Sequence, residues 1–261
     1  MTPSDAHYTY DGSFDGFLSV VFEAARRGAL PASVPTDEAP PQGGLFGAVV
    51  AVETSAAHAA RVARGLERRI TAGGVERLYH AFLSEDAGIE HRLLRLIDRV
   101  LREGGGALDD LRFPPAFAAE RLAARVRHEV HRMHAFVRFE RRAGERYIAV
   151  ARPEHNVLPL LEDHFAARYP ALRWAIVDVR RRYALVHTPA AEREAGAPAT
   201  HFTPAESLEA LPEAHDEAGY QDLWQTYYHA VTIPARRNLK LHLRHVPRRY
   251  WPYLTEKRAA A

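Results

Sequence analysis

The sequence predicts an α+β fold, an antiparallel sheet built from hairpins and packed against several amphipathic helices. Two observations carry that expectation. Apolar residues recur with a helical period through most of the first 134 residues. From Ala135 the period shifts from 3.6 to 2, and two strand pairs flank one short helix.

The elements follow in chain order. Residues 7–10 alternate like a strand and end at the turn dipeptide Asp11-Gly12. Ser13 is placed to cap a helix that presents Phe14, Phe17, Leu18, Val21, Phe22 and Ala25 on one face and stops at Gly28. A proline-rich loop, 31–44, leads to a strand over 45–53 and a helix opening at Thr54 or Ser55. Residues 75–103 read as helical, with Ile89, Leu93, Leu96, Ile97, Val100 and Leu101 as the apolar face and Gly104-Gly105-Gly106 as the stop. A further helix over 115–134 buries Leu122, Val126, Val130 and Met133.

Strands are then expected over 135–141 and 146–152, joined at Ala143-Gly144, and over 173–179 and 183–187. Between the pairs lies a helix capped by Asn156, with Val157, Leu160, Leu161, His164 and Phe165 inward, ended by Pro170. Residues 189–218, rich in Ala, Glu and Pro, read as a loop. The stripe Tyr220, Leu223, Trp224, Tyr227, Tyr228 and Val231 predicts a helix with a buried ring face. The whole is expected to be one domain over 1–261, with a mostly helical lobe over 1–134 and a hairpin-and-helix lobe over 135–261.

Charge is unevenly placed. The window 236–258 holds six Arg and two Lys against one acid, Glu256, or about +7, whereas the whole chain is +2. Such asymmetry points to an anionic partner, with nucleic acid first. Arg236, Arg237, Lys240, Arg248, Arg249 and Lys257 are the expected phosphate contacts, and Tyr250 and Trp251 are rings able to stack on bases. The same segment also fits a terminal element that docks its rings inward and leaves its charges in water. A second basic row, Arg121, Arg125, His128 and Arg132, falls at i, i+4, i+7 and i+11 on one helix.

Several chemistries are excluded or unsupported. There is no Cys, so neither disulfides nor a Cys-ligated zinc or iron-sulfur centre forms within this chain. Neither a G-x-G-x-x-G nor a Walker pattern is present, and no nucleophile elbow. His128, His131 and His134 spread over about 120° of a helix, unsuited to one ion, and no metal or cofactor is expected. No run of 18 apolar residues and no leader pattern appear, which predicts a cytoplasmic protein without a membrane span. His155 is a candidate polar ligand in a loop. A rival reading is a nuclease or base-processing enzyme assembled from Asp11, His155, Asn156 and Asp178.

Four blocks resemble a known family: Tyr8-Thr-Tyr-Asp-Gly-Ser-Phe-Asp-Gly-Phe-Leu18, the Val130-His-Arg-Met run into Phe136-Val-Arg-Phe139, Pro153-Glu-His-Asn-Val-Leu-Pro-Leu-Leu161, and Pro247-Arg-Arg-Tyr-Trp-Pro-Tyr-Leu-Thr-Glu-Lys257. They are similar to a bacterial family labelled a probable DNA metabolism protein. Its domain, of unknown function, occurs fused to uracil-DNA glycosylase-like domains, and its stand-alone form accompanies a radical-SAM protein thought to modify or repair DNA. The resemblance implies a DNA-binding accessory role with such a partner, and singles out Tyr10, Asp11, Gly12 and Phe14 near the start. It also singles out Arg138, Phe139, Asn156, Leu158, Pro159, Leu161, Arg248, Arg249, Tyr250, Trp251 and Glu256. Tyr10, Asp11 and Phe14 with His155 and Asn156 form a candidate pocket on this reading. The stretch His242-Leu-Arg-His-Val246 departs from the family pattern. A protein-interaction module for the radical-SAM partner is the further alternative.

Overall fold

The computed structural model describes residues 2–37, 47–209, 212, 214–231 and 238–260. It is an α+β protein that divides into two compact units, 1–128 and 129–261.

In the first unit, β1 (Thr2–Pro3) pairs in parallel with β3 (Ala29–Leu30), and β2 (His7–Thr9) with β4 (Val49–Ala51). Between β2 and β3 runs α1 (Phe14–Arg27). Its cap is the expected one, with Ser13 Oγ accepting the Gly16 N–H at 2.9 Å. Gly28 ends it in the left-handed region at φ 65°, where a side chain would be strained. Ser55 caps α2 (Ala56–Glu67), and α3 (Ala72–Phe82) and α4 (Ile89–Glu103) follow. The apolar run over 75–103 is therefore two helices. Glu85 at φ 52° and Gly88 at φ 71° turn the chain between them. The short α5 (Gly106–Asp109) leads to α6 (Pro114–Phe136), and the unit boundary falls inside α6. The core gathers Phe17, Leu93, Ile97 and Leu122 from expected apolar faces, together with Val20 and Leu78.

The second unit is built on a five-stranded sheet of order β5-β6-β7-β8-β9. Strands β5 (Phe139–Arg142) and β6 (Arg146–Ala151) form one hairpin, and β7 (Trp174–Asp178) and β8 (Tyr183–His187) another. The sheet is mixed, because β6 and β7 pair in parallel, with Tyr147 opposite Trp174. The segment between them, a 3-10 turn (Leu158–Leu160) and α7 (Glu162–Arg168), is the crossover that a parallel pair requires. Strand β7 is buried along its whole length, as a central apolar run should be.

Three expectations need correction here. The helix over 115–134 continues to Phe136, so β5 starts only at Phe139. The stretch 189–218 contains β9 (Thr200–Pro204), an edge strand whose exposed side hides its alternation, and α8 (Glu206–Glu209). Asn156 does not cap α7; its Oδ1 accepts a hydrogen bond from the Tyr183 hydroxyl, and Leu161 holds the cap position.

A fourth correction concerns α9 (Glu217–Val231). Its apolar stripe is not core: Tyr220, Leu223, Tyr227 and Val231 are 60, 67, 58 and 53% exposed. The helix is tied down by the neighbouring row Glu217, Trp224 and Tyr228, spaced i, i+7 and i+11, through hydrogen bonds to Arg141, Glu256 and Lys257. Periodicity found the apolar face, but polar anchors decided which face meets the unit. After α9 come α10 (Leu239–His245) and 3-10 turns at Arg248–Tyr253 and Thr255–Ala260. No helix among the described residues is long and apolar enough to cross a membrane.

Candidate functional site

The terminal basic segment is only partly a free cationic surface. Arg236 and Arg237 lie outside the described residues. Lys240 is exposed on α10, whose first turn is capped by Asn238 accepting the Leu241 N–H at 3.0 Å. Arg248 is exposed, with its guanidinium over the Trp251 ring at 5.8 Å. Arg249 is exposed as well but paired, 3.2 Å from Glu154 and 3.5 Å from Glu129. Lys257 donates to the Tyr228 hydroxyl at 2.7 Å.

Tyr250, expected to stack on bases, is 2% exposed, so it is not a platform for a ligand. Its ring packs 5.4 Å from that of Phe136, and its hydroxyl donates to Glu129 Oε1 at 2.5 Å. Burial, reinforced by that carboxylate, pushes the Tyr250 hydroxyl well above the usual phenol range. Trp251 is half-buried and donates its indole N–H to the Val246 carbonyl at 3.1 Å.

Glu129 is the centre of this lock. It is 1% exposed, and besides Tyr250 it accepts the backbone N–H groups of Glu154 and His155, each at 2.7 Å. A buried carboxylate is tolerable only when so many donors surround it. It joins α6, the loop after β6 and the terminal segment. A second tie is made by Glu256, which accepts from Arg138 Nη2 and from the Trp224 indole, each at 2.9 Å. Burial alone would raise the Glu256 pKa, but these hydrogen bonds outweigh it and hold the carboxyl below its ordinary range.

The candidate pocket of Tyr10, Asp11, Phe14, His155 and Asn156 draws on both units. The first three belong to one unit and the last two to the other. Tyr10 is a core residue whose hydroxyl donates to Glu90 at 3.4 Å, and Phe14 packs on Tyr79 and Phe82. Asp11 accepts from the Ser13 N–H and hydroxyl and from Thr54, a local turn clamp. Asp178, fully buried, accepts the Arg180 and Arg181 N–H groups and pairs with the Arg181 guanidinium. On α6, Arg121, Arg125 and His128 are exposed and Arg132 is half-buried.

The concave site lies elsewhere in the second unit. A cavity of about 990 Å³ is lined from the end of α6, β5, α7, β7 and α9, at the upper end of the ~300–1,000 Å³ typical of small-molecule sites. One wall is a ring cluster. Phe139 meets Phe165 and Tyr169 edge-on, with centroids 5.6 Å apart in both pairs, and Trp174 at 5.9 Å. Tyr220 and Trp224 of α9 also line the cavity. Arg138, Arg141 and Arg168 contribute cations to the lining, and His134 stacks on His164 at 3.9 Å.

Three polar atoms on this lining stand out. Trp174 Nε1, His134 Nε2 and Arg138 Nε are buried with no hydrogen-bond partner among the described residues. Burial, aided by the charges of His164 and His131, keeps the His134 pKa below the ordinary value, so the ring favours its neutral form. Unpaired buried donors and acceptors are rare enough to mark a place where a polar group can be recognised. No group of three or more potential metal ligands gathers among the described residues.

A family model described as a domain of unknown function, DUF4130, matches residues 87–256, or 170 of the 261 residues. The chain belongs to this family. The DUF4130 match contains Glu129, the Arg138–Glu256 tie and every residue lining the cavity. The opening block at Tyr8 to Leu18 lies outside it. No curated protein and no solved structure matches the chain. Of the DUF4130 residues singled out in sequence, Arg138 and Phe139 reach the cavity, while Arg249, Tyr250 and Glu256 build the ties behind it. His134, Phe165, Tyr169 and Trp174 were missed as site residues. Their spacing reads as core, and only the pairing of β5 with β6 and β6 with β7 brings them to one wall.

Proposed function

We propose that this DUF4130 protein is a DNA-binding accessory protein in base repair or modification, working with a radical-SAM or uracil-DNA glycosylase-like partner. The observation that carries the DNA contact is a row of exposed cations in the second unit. Lys240 and Arg244 lie at i and i+4 on α10, followed by Arg248, and none of them has a salt bridge among the described residues. These are groups free to meet phosphates. Arg249 and Lys257 are engaged internally, which reduces the contacts from those the charge count alone suggests.

If about three cations displace counterions, log K falls against log salt with a slope near −3 on duplex DNA. Titrating labelled duplex at several salt concentrations measures it, and K240Q with R248Q lowers the slope by about 2. Absence of micromolar binding even at low salt removes the proposal.

The partner contact has its own support in the exposed face of α9. Monomeric proteins rarely leave a row such as Tyr220, Leu223, Tyr227 and Val231 in water without a use. L223E should abolish co-purification with the radical-SAM protein while leaving DNA affinity unchanged. Loss of neither, or of both together, counts against α9 as the docking face.

A further inference from the structure

The cavity of the second unit combines three features that together select a ligand class. Accessible rings reach it from two parts of the chain, with Phe139 and Tyr169 from β5 and the end of α7 and Tyr220 and Trp224 from α9, a lining that favours a flat ring over a flexible chain. The unpaired Trp174 Nε1 and His134 Nε2 ask for hydrogen-bonding atoms on the edge of that ring, which a hydrocarbon cannot supply. The third feature is charge. Arg138 is held by Glu256, and Arg141 by Asp216 and Glu145. Arg168 differs. It is exposed, lies over the Tyr169 ring at 5.5 Å, and among the described residues donates only its Nε, to the Tyr169 hydroxyl at 3.2 Å.

Glu217 also lines the cavity and is 6% exposed. It already accepts the Arg141 N–H at 2.9 Å and the Gln221 amide at 3.2 Å. Its charge repels an anion, which leaves the forked end of Arg168 as the place for a phosphate. One uncompensated cation suits one phosphate better than three.

From this we infer that the cavity takes a single unpaired nucleotide, its base against the lining rings and its phosphate on Arg168. The unit is either a free nucleoside monophosphate or one extruded residue of a DNA strand. The second source rests on the DNA-binding reading above; the first does not. A base held this way must be out of its helix, because a paired base has no free face to offer.

Two of the three tryptophans of the chain, Trp174 and Trp224, line the cavity, so intrinsic fluorescence reports its occupancy. The full chain is titrated with the four deoxynucleoside monophosphates, with the matching nucleosides, and with inorganic phosphate. Parallel titrations use a paired duplex and the same duplex carrying one bulged base. Monophosphates should quench the fluorescence and bind about tenfold tighter than nucleosides. R168Q should erase that difference, and W174F, which keeps the ring but removes the N–H, should weaken both. The bulged duplex should bind about tenfold tighter than the paired one if the source is DNA.

Failure separates the two readings. If both duplexes bind equally, and monophosphates at millimolar concentration neither quench nor compete, the cavity assignment is wrong and DNA binding stands. If monophosphates bind and neither duplex does at low salt, the cavity assignment stands with a free nucleotide as its ligand, and the DNA reading falls. Arg168 is exposed, so R168Q remains informative even if W174F fails to fold. An unaltered preference for monophosphates in R168Q overturns the assignment of the phosphate.

Discussion

The two units place their polar clamps differently. In the first the clamp is exposed: Asp11 holds Ser13 and Thr54 at the start of α1, while the rings of Phe14, Phe17, Tyr79 and Phe82 meet one another in the core. In the second the clamp is buried: a carboxylate on α6 holds a loop 25 residues away and a hydroxyl 121 residues away, and rings of five elements line a cavity. Exposed clamps stabilise a fold cheaply. Buried, distant ties fix the geometry of a surface, which is the property a binding site requires.

The comparison can be broken by substitution, and the largest effect is expected at Glu129. E129A leaves the Tyr250 hydroxyl and the N–H groups of Glu154 and His155 without their acceptor. Stranding buried donors of this kind should cost about 3–5 kcal/mol, measured as a shift in urea midpoint. A cost below that of the first-unit variant described next would mean that the second unit does not depend on its distant ties.

That variant is G16A, which tests the local clamp. A Cβ at Gly16 would stand 2.2 Å from Asp11 Oδ1 and 2.8 Å from Thr54 Oγ1, and Asp11 is already fixed by three donors. Overpacking of this size should cost about 1–3 kcal/mol. Thermal denaturation reads it, and G16A with T54V should recover part of the loss, because removing the Thr54 donor frees Asp11 to shift.

Much of the first unit was legible because its rules are local. The Ser13 cap, the Gly28 stop, the Ser55 start and the faces of α1 and α4 each depend on residues within one or two turns. The cavity was not legible, because its walls come from strands whose register no local rule sets. The α9 stripe shows the limit most clearly. Its 3.6-residue period specified a helix, yet whether that face is covered depends on Glu217 and Trp224 finding partners elsewhere in the chain, in Arg141 and Glu256. The basic ending was legible as charge and not as pairing, since Arg249 and Lys257 are indistinguishable in sequence from Lys240 and Arg248.

The smallest expected effect concerns acid. Burial lowers the pKa of His134 in the second unit, with His164 and His131 adding to it, and burial also lowers His80 and His91 in the first. For each, the unfolded chain binds the proton more tightly than the folded one. Stability from these groups is therefore full above the ordinary His value, about 6.5, and is lost as the pH falls below it toward the folded pKa. H134F keeps a ring against His164 and Phe165 but removes one titrating site. Its stability should fall less than that of the wild type between about pH 8 and about pH 5, and H80F should show the same blunting. If H134F alone were blunted, acid sensitivity would belong to the cavity; if H80F alone were, the stacked histidine pair would be protonated without cost, and a negative group near it would have to be sought.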